Sequence, residues 1–244
     1  MRCLLRSLLP FVPALAACGS GTGQPEVSFP AVFVAPPTDE FVVDDVTVRL
    51  DEARVAFGPA YFCASASGSA TLCEAALGEI RRVTAVDALA PAETPLGTYV
   101  GFAGDVRSAS YDYGIHWFLP EQEVGPSPEA PDGHSARVRG VASRAGTSVR
   151  FEAEIDVAPL FQGQRAVPTT QVEGAVTEAT SRLEVRFDVA SWFSAVDFGA
   201  ALDAGADPFV FGEGARDHDA VVIRMVSTHP PSFVFVEGAA EPTP

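Results

Sequence analysis

The densest run of chemically capable side chains is Asp217-His218-Asp219, a histidine between two carboxylates. Carboxylates beside an imidazole could ligate a metal ion or tune the proton affinity of the ring. The same three residues also suit a solvated helix start, with Asp219 as the N-cap. A second candidate lies in the most aromatic segment, Tyr111 to Phe118. Strand alternation there sets Tyr111, Tyr113, Ile115 and Trp117 on one face and His116 on the other. His116, Tyr113 and Trp117, with Tyr61 or Tyr99 from neighbouring strands, would then line a ligand surface, although aromatic residues on strands usually serve packing. Asp203 and Asp207 flank Ala-Gly-Ala. Two carboxylates at that spacing do not make an EF-hand, so a turn is expected.

Several reaction classes lack their signatures. No Gly-x-Ser-x-Gly elbow exposes a serine, and the four histidines (His116, His134, His218, His229) are too scattered for a zincin pair. Phosphate-loop, dinucleotide and Cys-x-x-Cys motifs are missing as well. There is no lysine, which excludes Schiff-base chemistry, and no asparagine, which excludes N-glycosylation. A glycosidase-type carboxylate pair stays open, because separation in space selects such a pair. No cofactor is implied.

The N-terminus carries an address. Arg2 and Arg6 precede a short apolar stretch that ends in Leu15-Ala16-Ala17-Cys18. A positive start, an apolar middle and small residues before a cut site make a secretory signal peptide. The apolar run falls short of the roughly 20 residues a membrane helix needs, and Pro10 and Pro13 interrupt it. Leu15-Ala16-Ala17-Cys18 resembles the lipobox of bacterial lipoproteins. The resemblance implies acylation of Cys18, palmitate among the chains, and Cys18 as the first mature residue. Cleavage after Ala17 without lipid is the alternative. With Gly19 instead of aspartate after the cysteine, the resemblance points to the outer membrane. The expected location is the bacterial cell envelope, facing periplasm or cell surface.

On that reading Cys3 leaves with the signal and Cys18 takes lipid, so Cys63 and Cys73 remain in a compartment that permits disulfides. Their pairing is expected, closing a loop that contributes roughly 2–3 kcal/mol. A two-thiolate metal site is the alternative.

Composition bounds the partners. There are 32 acidic residues against 16 arginines, a net charge of -16, and loss of Arg2 and Arg6 makes it more negative. Such a surface repels phosphate backbones, which excludes nucleic acid as a partner. The expected partners are the membrane, through lipid, and an envelope protein; a small-molecule ligand is not identified.

The elements that must position these residues read as strands. Val46, Val48 and Leu50 alternate with polar residues, and so do Val149, Phe151, Ala153 and Ile155. Arg137–Ser143 and Ser148–Val157 form a hairpin across Gly146, and Val172–Thr177 with Arg182–Val189 repeat the pattern. Further strands are expected over Arg54–Phe57, Val83–Leu89, Tyr99–Val106 and Phe233–Val236. Glu74 to Arg82 reads as a helix, Ser191 as the cap of a helix through Leu202, and Asp219–Val226 fits either strand or helix. Pro120 to His134, rich in proline and glutamate, reads as a mobile surface loop. The expected fold is mainly β, an antiparallel β-sandwich with one or two short helices. Residues 1–17 are the signal, 18–40 a lipidated tether with a first strand, 41–238 one domain, and 239–244 a disordered tail. Three functions stay open: a non-catalytic binding, scaffold or envelope-accessory module, a lipid-anchored hydrolase built from distant carboxylates and a histidine, and a periplasmic metal-binding protein.

Overall fold

The computed structural model describes residues 23–36, 38–66, 76–116, 125–159 and 165–238. Cys18, Cys73, Trp117 and the 239–244 tail lie outside them, and His116 is described in its backbone alone. The chain opens with β1 (Glu26–Phe33), β2 (Glu40–Val43), β3 (Val46–Phe57) and β4 (Ala60–Cys63). β5 (Ala76–Ile80), β6 (Thr84–Asp87), β7 (Thr94–Phe102) and β8 (Gly104–Tyr111) follow, then the two-residue strands β9 (Ile115–His116) and β10 (Gly125–Pro126). β11 (Ala136–Arg144), β12 (Thr147–Ile155), β13 (Thr170–Val176) and β14 (Thr180–Arg186) precede three helices, α1 (Val189–Phe193), α2 (Phe198–Ala204) and α3 (Arg216–Ile223). β15 (Phe209–Phe211) lies between α2 and α3, and β16 (Ser232–Glu237) comes last.

Two sheets face each other in a mainly β, sandwich-like fold. One has eight strands in the order β13–β8–β4–β5–β7–β1–β14–β16, and the other runs β15–β12–β11–β3, with β2 and β6 both paired to β3. All pairings are antiparallel except β1 with β14 and β12 with β15. The main hydrophobic core takes side chains from both sheets and all three helices. Its middle is aromatic. Phe57 of β3 meets Tyr111 of β8 and Phe233 of β16, at centroid distances of 5.8 and 6.4 Å. Phe62 of β4 touches Tyr99, Phe233 and Phe235 at 5.3–5.6 Å.

The chain changes sheets at a corner, Gly58-Pro59, between β3 and β4. Gly58 has φ of +103°, and a Cβ there would stand 2.2 Å from the Arg82 carbonyl oxygen, so only glycine fits. The eight-stranded sheet curls until its edges approach each other. The Phe235 ring of edge strand β16 covers Gly174 of edge strand β13, where a Cβ would come within 2.8 Å of the ring.

Several sequence expectations need correction. The stretch expected to be a helix around Glu74–Arg82 contains β5 instead. Its Gly78 lies under the Tyr99 phenol, and central pairing to β4 and β7 outweighs the alanine-rich helical preference. Val46–Leu50 and Arg54–Phe57 belong to one strand, β3, irregular in its register at Asp51. The stretch Tyr99–Val106 is a hairpin, with Ala103 between β7 and β8. β13 and β14 do not pair: β13 joins β8, and β14 joins β1 and β16. Ser191 caps nothing. Asp188 caps α1 and Asp197 caps α2, each carboxylate accepting a backbone N–H. Ala215, not Asp219, stands at the N-cap of α3. The described part of the expected mobile loop is packed: Ser127 donates its N–H to the Gly114 carbonyl, and Ala130 is buried with Ala56 and Val83. The first strand expected within 18–40 is β1, an inner strand of the larger sheet.

Candidate functional site

Asp217, His218 and Asp219 occupy the first turn of α3 but aim three ways. The His218 ring is buried, and its Nε2 accepts the Asp156 backbone N–H at 3.1 Å. That bond places the ring proton on Nδ1, which donates to Asp219 Oδ1 at 3.2 Å. Asp217 Oδ1 accepts the Asp197 N–H at 3.1 Å and so ties α3 to the start of α2. With both ring nitrogens engaged, His218 has no lone pair free for a metal. Among the described residues no group of three or more His, Cys, Asp or Glu side chains is placed to hold one.

The structure instead joins His134 to the same strand end. Its Nδ1 lies 3.0 Å from one Asp156 oxygen and 3.1 Å from the other, and its Nε2 lies 3.5 Å from Glu154. Asp156 therefore holds His134 by its side chain and His218 by its backbone. The contact was legible in principle. The β11–β12 register pairs Ala136 with Ile155, and extending it one step sets 135 against 156, beside His134.

Tyr113 does not line a ligand surface. It is fully buried, its hydroxyl donates to the Met225 carbonyl at 3.3 Å, and its ring meets Tyr111 and Trp192 edge-on at 5.6 and 5.9 Å. Burial raises its pKa well above the ordinary phenol value. Burial likewise pushes Tyr111 up to about 12 and raises Tyr99. Tyr61 is raised too, by burial and then by Glu79 and Asp112. The backbone of His116 pairs with Gly125. Cys63 is disulfide-bonded, and its partner lies outside the described residues. Sequence reasoning missed a buried pair beside Tyr111, where Arg165 lies 3.5 Å from Asp112 and donates to the Tyr111 carbonyl at 2.7 Å. Nothing in local spacing announces it.

A concavity with both apolar walls and polar groups lies where the parallel strands β1 and β14 end. In open sheets the carboxyl ends of parallel strands leave a crevice, because the chain departs to either side. Here Val34 still donates to the Val185 carbonyl at 3.0 Å, after which the two chains separate around a cleft of about 520 Å³. Pro36, Phe187 and Pro230 form apolar walls, and Arg186, Ser191 and His229 bring polar groups. Asp188 Oδ2 accepts the Ser191 hydroxyl at 2.6 Å while Oδ1 caps α1. His229 Nε2 accepts from Arg224 at 2.9 Å, and its carbonyl accepts from the Trp192 indole at 2.9 Å. The Ser191 proton thus faces a capping carboxylate instead of a histidine base, so triad chemistry is not assembled. Arg186 donates from Nη2 to Glu184 and is half-exposed beside the apolar walls.

No family model matches the chain, and no curated protein matches it. Among solved structures it is similar to MbnP from Methylosinus trichosporium, with 12% identity and a TM-score of 0.37, covering 82% of this chain and 88% of that one.

Proposed function

We propose that this chain is a lipid-anchored protein of the bacterial cell envelope whose body is a non-catalytic binding module. The anchor reading rests on Leu15-Ala16-Ala17-Cys18 and is supported by the oxidised Cys63, since disulfides persist in oxidising compartments. The observation that carries the binding reading is the cleft between β1 and β14. Its serine and histidine are held by Asp188 and Arg224, while its arginine, ion-paired with Glu184 through one nitrogen, stays half-exposed beside apolar walls. The ligand class that fits is a small carboxylate or phosphate with an apolar body.

A hydrolase built from distant groups finds its best support at His134, flanked by Asp156 and Glu154. The metal-binding reading of Asp217, His218 and Asp219 loses ground because each already serves the fold.

Growth with radioactive fatty acid tests the anchor: the wild-type chain takes label and Cys18→Ala does not. Label persisting in Cys18→Ala sinks the assignment. For the cleft, a panel of small aromatic and aliphatic carboxylates is expected to raise Tm in the wild type and not in Arg186→Ala. A panel that shifts neither protein argues against the cleft.

A further inference from the structure

The outer face of the larger sheet holds a second concavity, of about 520 Å³, across β5, β7 and β1. Val100 is 55% exposed and Phe102 36% exposed along it, with Leu77 in its wall and Glu26 and Glu79 at its rim. Large apolar side chains left in water beside a groove mark a contact surface. What covers this one follows from where the chain enters the fold. The Pro25 carbonyl accepts the Ala103 N–H at 2.9 Å, so the segment leading back to Cys18 leaves beside the residue after Phe102. Only seven positions separate Pro25 from Cys18, a reach of at most about 25 Å even when fully extended.

We propose that this groove faces the bilayer that holds the anchor, with Val100 and Phe102 resting in its interfacial layer. The inference rests on the lipid-anchor reading of Cys18. The charges choose the lipid. Glu79 is paired with Arg81 at 2.6 Å, and Glu26 adds a carboxylate to the rim of a strongly acidic protein. Arg81 and Arg82 also flank Val100, so the rim carries both signs and complements the ammonium and phosphate of a zwitterionic phosphatidylethanolamine, while the acidic protein as a whole repels anionic headgroups. The other sheet presents paired arginines and glutamates outward, with its exposed Val42 and Val210 apart on the two edge strands and no groove between them. Contact at Val100 and Phe102 would set the body on its side and leave the β1–β14 cleft to one flank of the tether.

The test uses the full chain, lipidated in a bacterial host and reconstituted into phosphatidylethanolamine–phosphatidylcholine vesicles that carry a nitroxide lipid. A fluorophore is placed on Val100→Cys, or, as a control on the smaller sheet, on Val210→Cys, which is 60% exposed in the wild type. The expected result is several-fold stronger quenching at 100 than at 210. Adding Phe102→Glu to the Val100→Cys chain removes the difference while the protein still sediments with vesicles. Equal quenching at both positions in sedimenting protein overturns the orientation and leaves the anchor standing. Shielding at 100 without vesicles assigns the groove to a second copy of the chain and also overturns it. Protein that stays in the supernatant removes the anchor, and the inference falls with it.

Discussion

The outer faces of the two sheets solve the same problem in opposite ways. On the smaller sheet, Arg139 reaches Glu52 at 3.3 Å and Glu152 at 3.5 Å, Arg137 pairs with Asp132, and Arg150 holds Asp207 at 3.0 Å. Charge answers charge across neighbouring strands, and water covers the rest. On the larger sheet, Val100 and Phe102 stand in solvent beside one groove, and a cleft opens where β1 and β14 part. The smaller sheet leaves its exposed valines, Val42 and Val210, apart on opposite edge strands, whereas the larger sheet gathers Val100 and Phe102 beside one groove. The groove and the cleft both belong to the larger sheet.

That contrast can be broken at several points. The largest effect is expected where the larger sheet curls on itself. Phe233→Ala removes a ring packed against Phe57, Phe62 and Tyr111 and should cost about 3–5 kcal/mol in denaturant unfolding. A loss below 1 kcal/mol would mean the edges do not depend on this ring for closure. Arg165→Met removes the guanidinium beside the buried Asp112 and the donor to the Tyr111 carbonyl, and should cost about 3–5 kcal/mol by the same measurement. Gly78→Ala drives a methyl to within 2.2 Å of the Tyr99 ring, for about 1–3 kcal/mol. An unchanged Tm would show that the ring can move aside.

Alkali separates the sheets as well, since Tyr61, Tyr99, Tyr111 and Tyr113 are the four tyrosines of the chain and all lie in or beside the larger one. Burial holds each phenol neutral beyond its ordinary range. A phenol with a raised folded pKa favours the fold fully below pH 10, and that contribution is lost as pH climbs towards the folded value, about 12 for Tyr111. Phenolate absorbance should then appear together with cooperative unfolding above pH 10. Independent, gradual ionisation of the folded protein near pH 10 would contradict the packing.

The smallest effect belongs to the charged face. Arg139→Ala should change stability by less than about 1 kcal/mol, because exposed ion pairs contribute little. Glu184 on the larger sheet is the useful contrast. Burial alone would raise its pKa, but the Arg186 and Arg182 guanidiniums outweigh burial and hold the carboxyl below the usual range. Its contribution is present above about pH 4.5 and is lost as pH falls through the lower folded value, so Glu184→Gln should flatten the acid limb of stability.

The smaller sheet was also the more legible of the two. Its β11–β12 hairpin follows from the alternation of Val149, Phe151, Ala153 and Ile155, and from a turn in which Ala145 and Gly146 both have positive φ. Mispairing entered on the larger sheet. β5 carries a glycine beneath a tyrosine contributed by β7, a relation that no window of local sequence contains. The candidate site divides the same way. Asp217, His218 and Asp219 attract notice by adjacency, yet each is spent on a structural bond. The β1–β14 cleft draws on positions 34–36, 186–191 and 229–232, which nothing in the sequence brings together.

By itself the sequence determined that the chain is built of strands, which face of each long strand is buried, and that its surface is acidic. Alternation and composition are local properties, and they survive whatever the partner. The tertiary structure alone decided which strand lies beside which, because pairing depends on rings and glycines fitting across distant segments. It therefore also decided where the cleft opens, at a parallel pair whose two members are about 150 residues apart, a separation at which local pattern carries no information on contact.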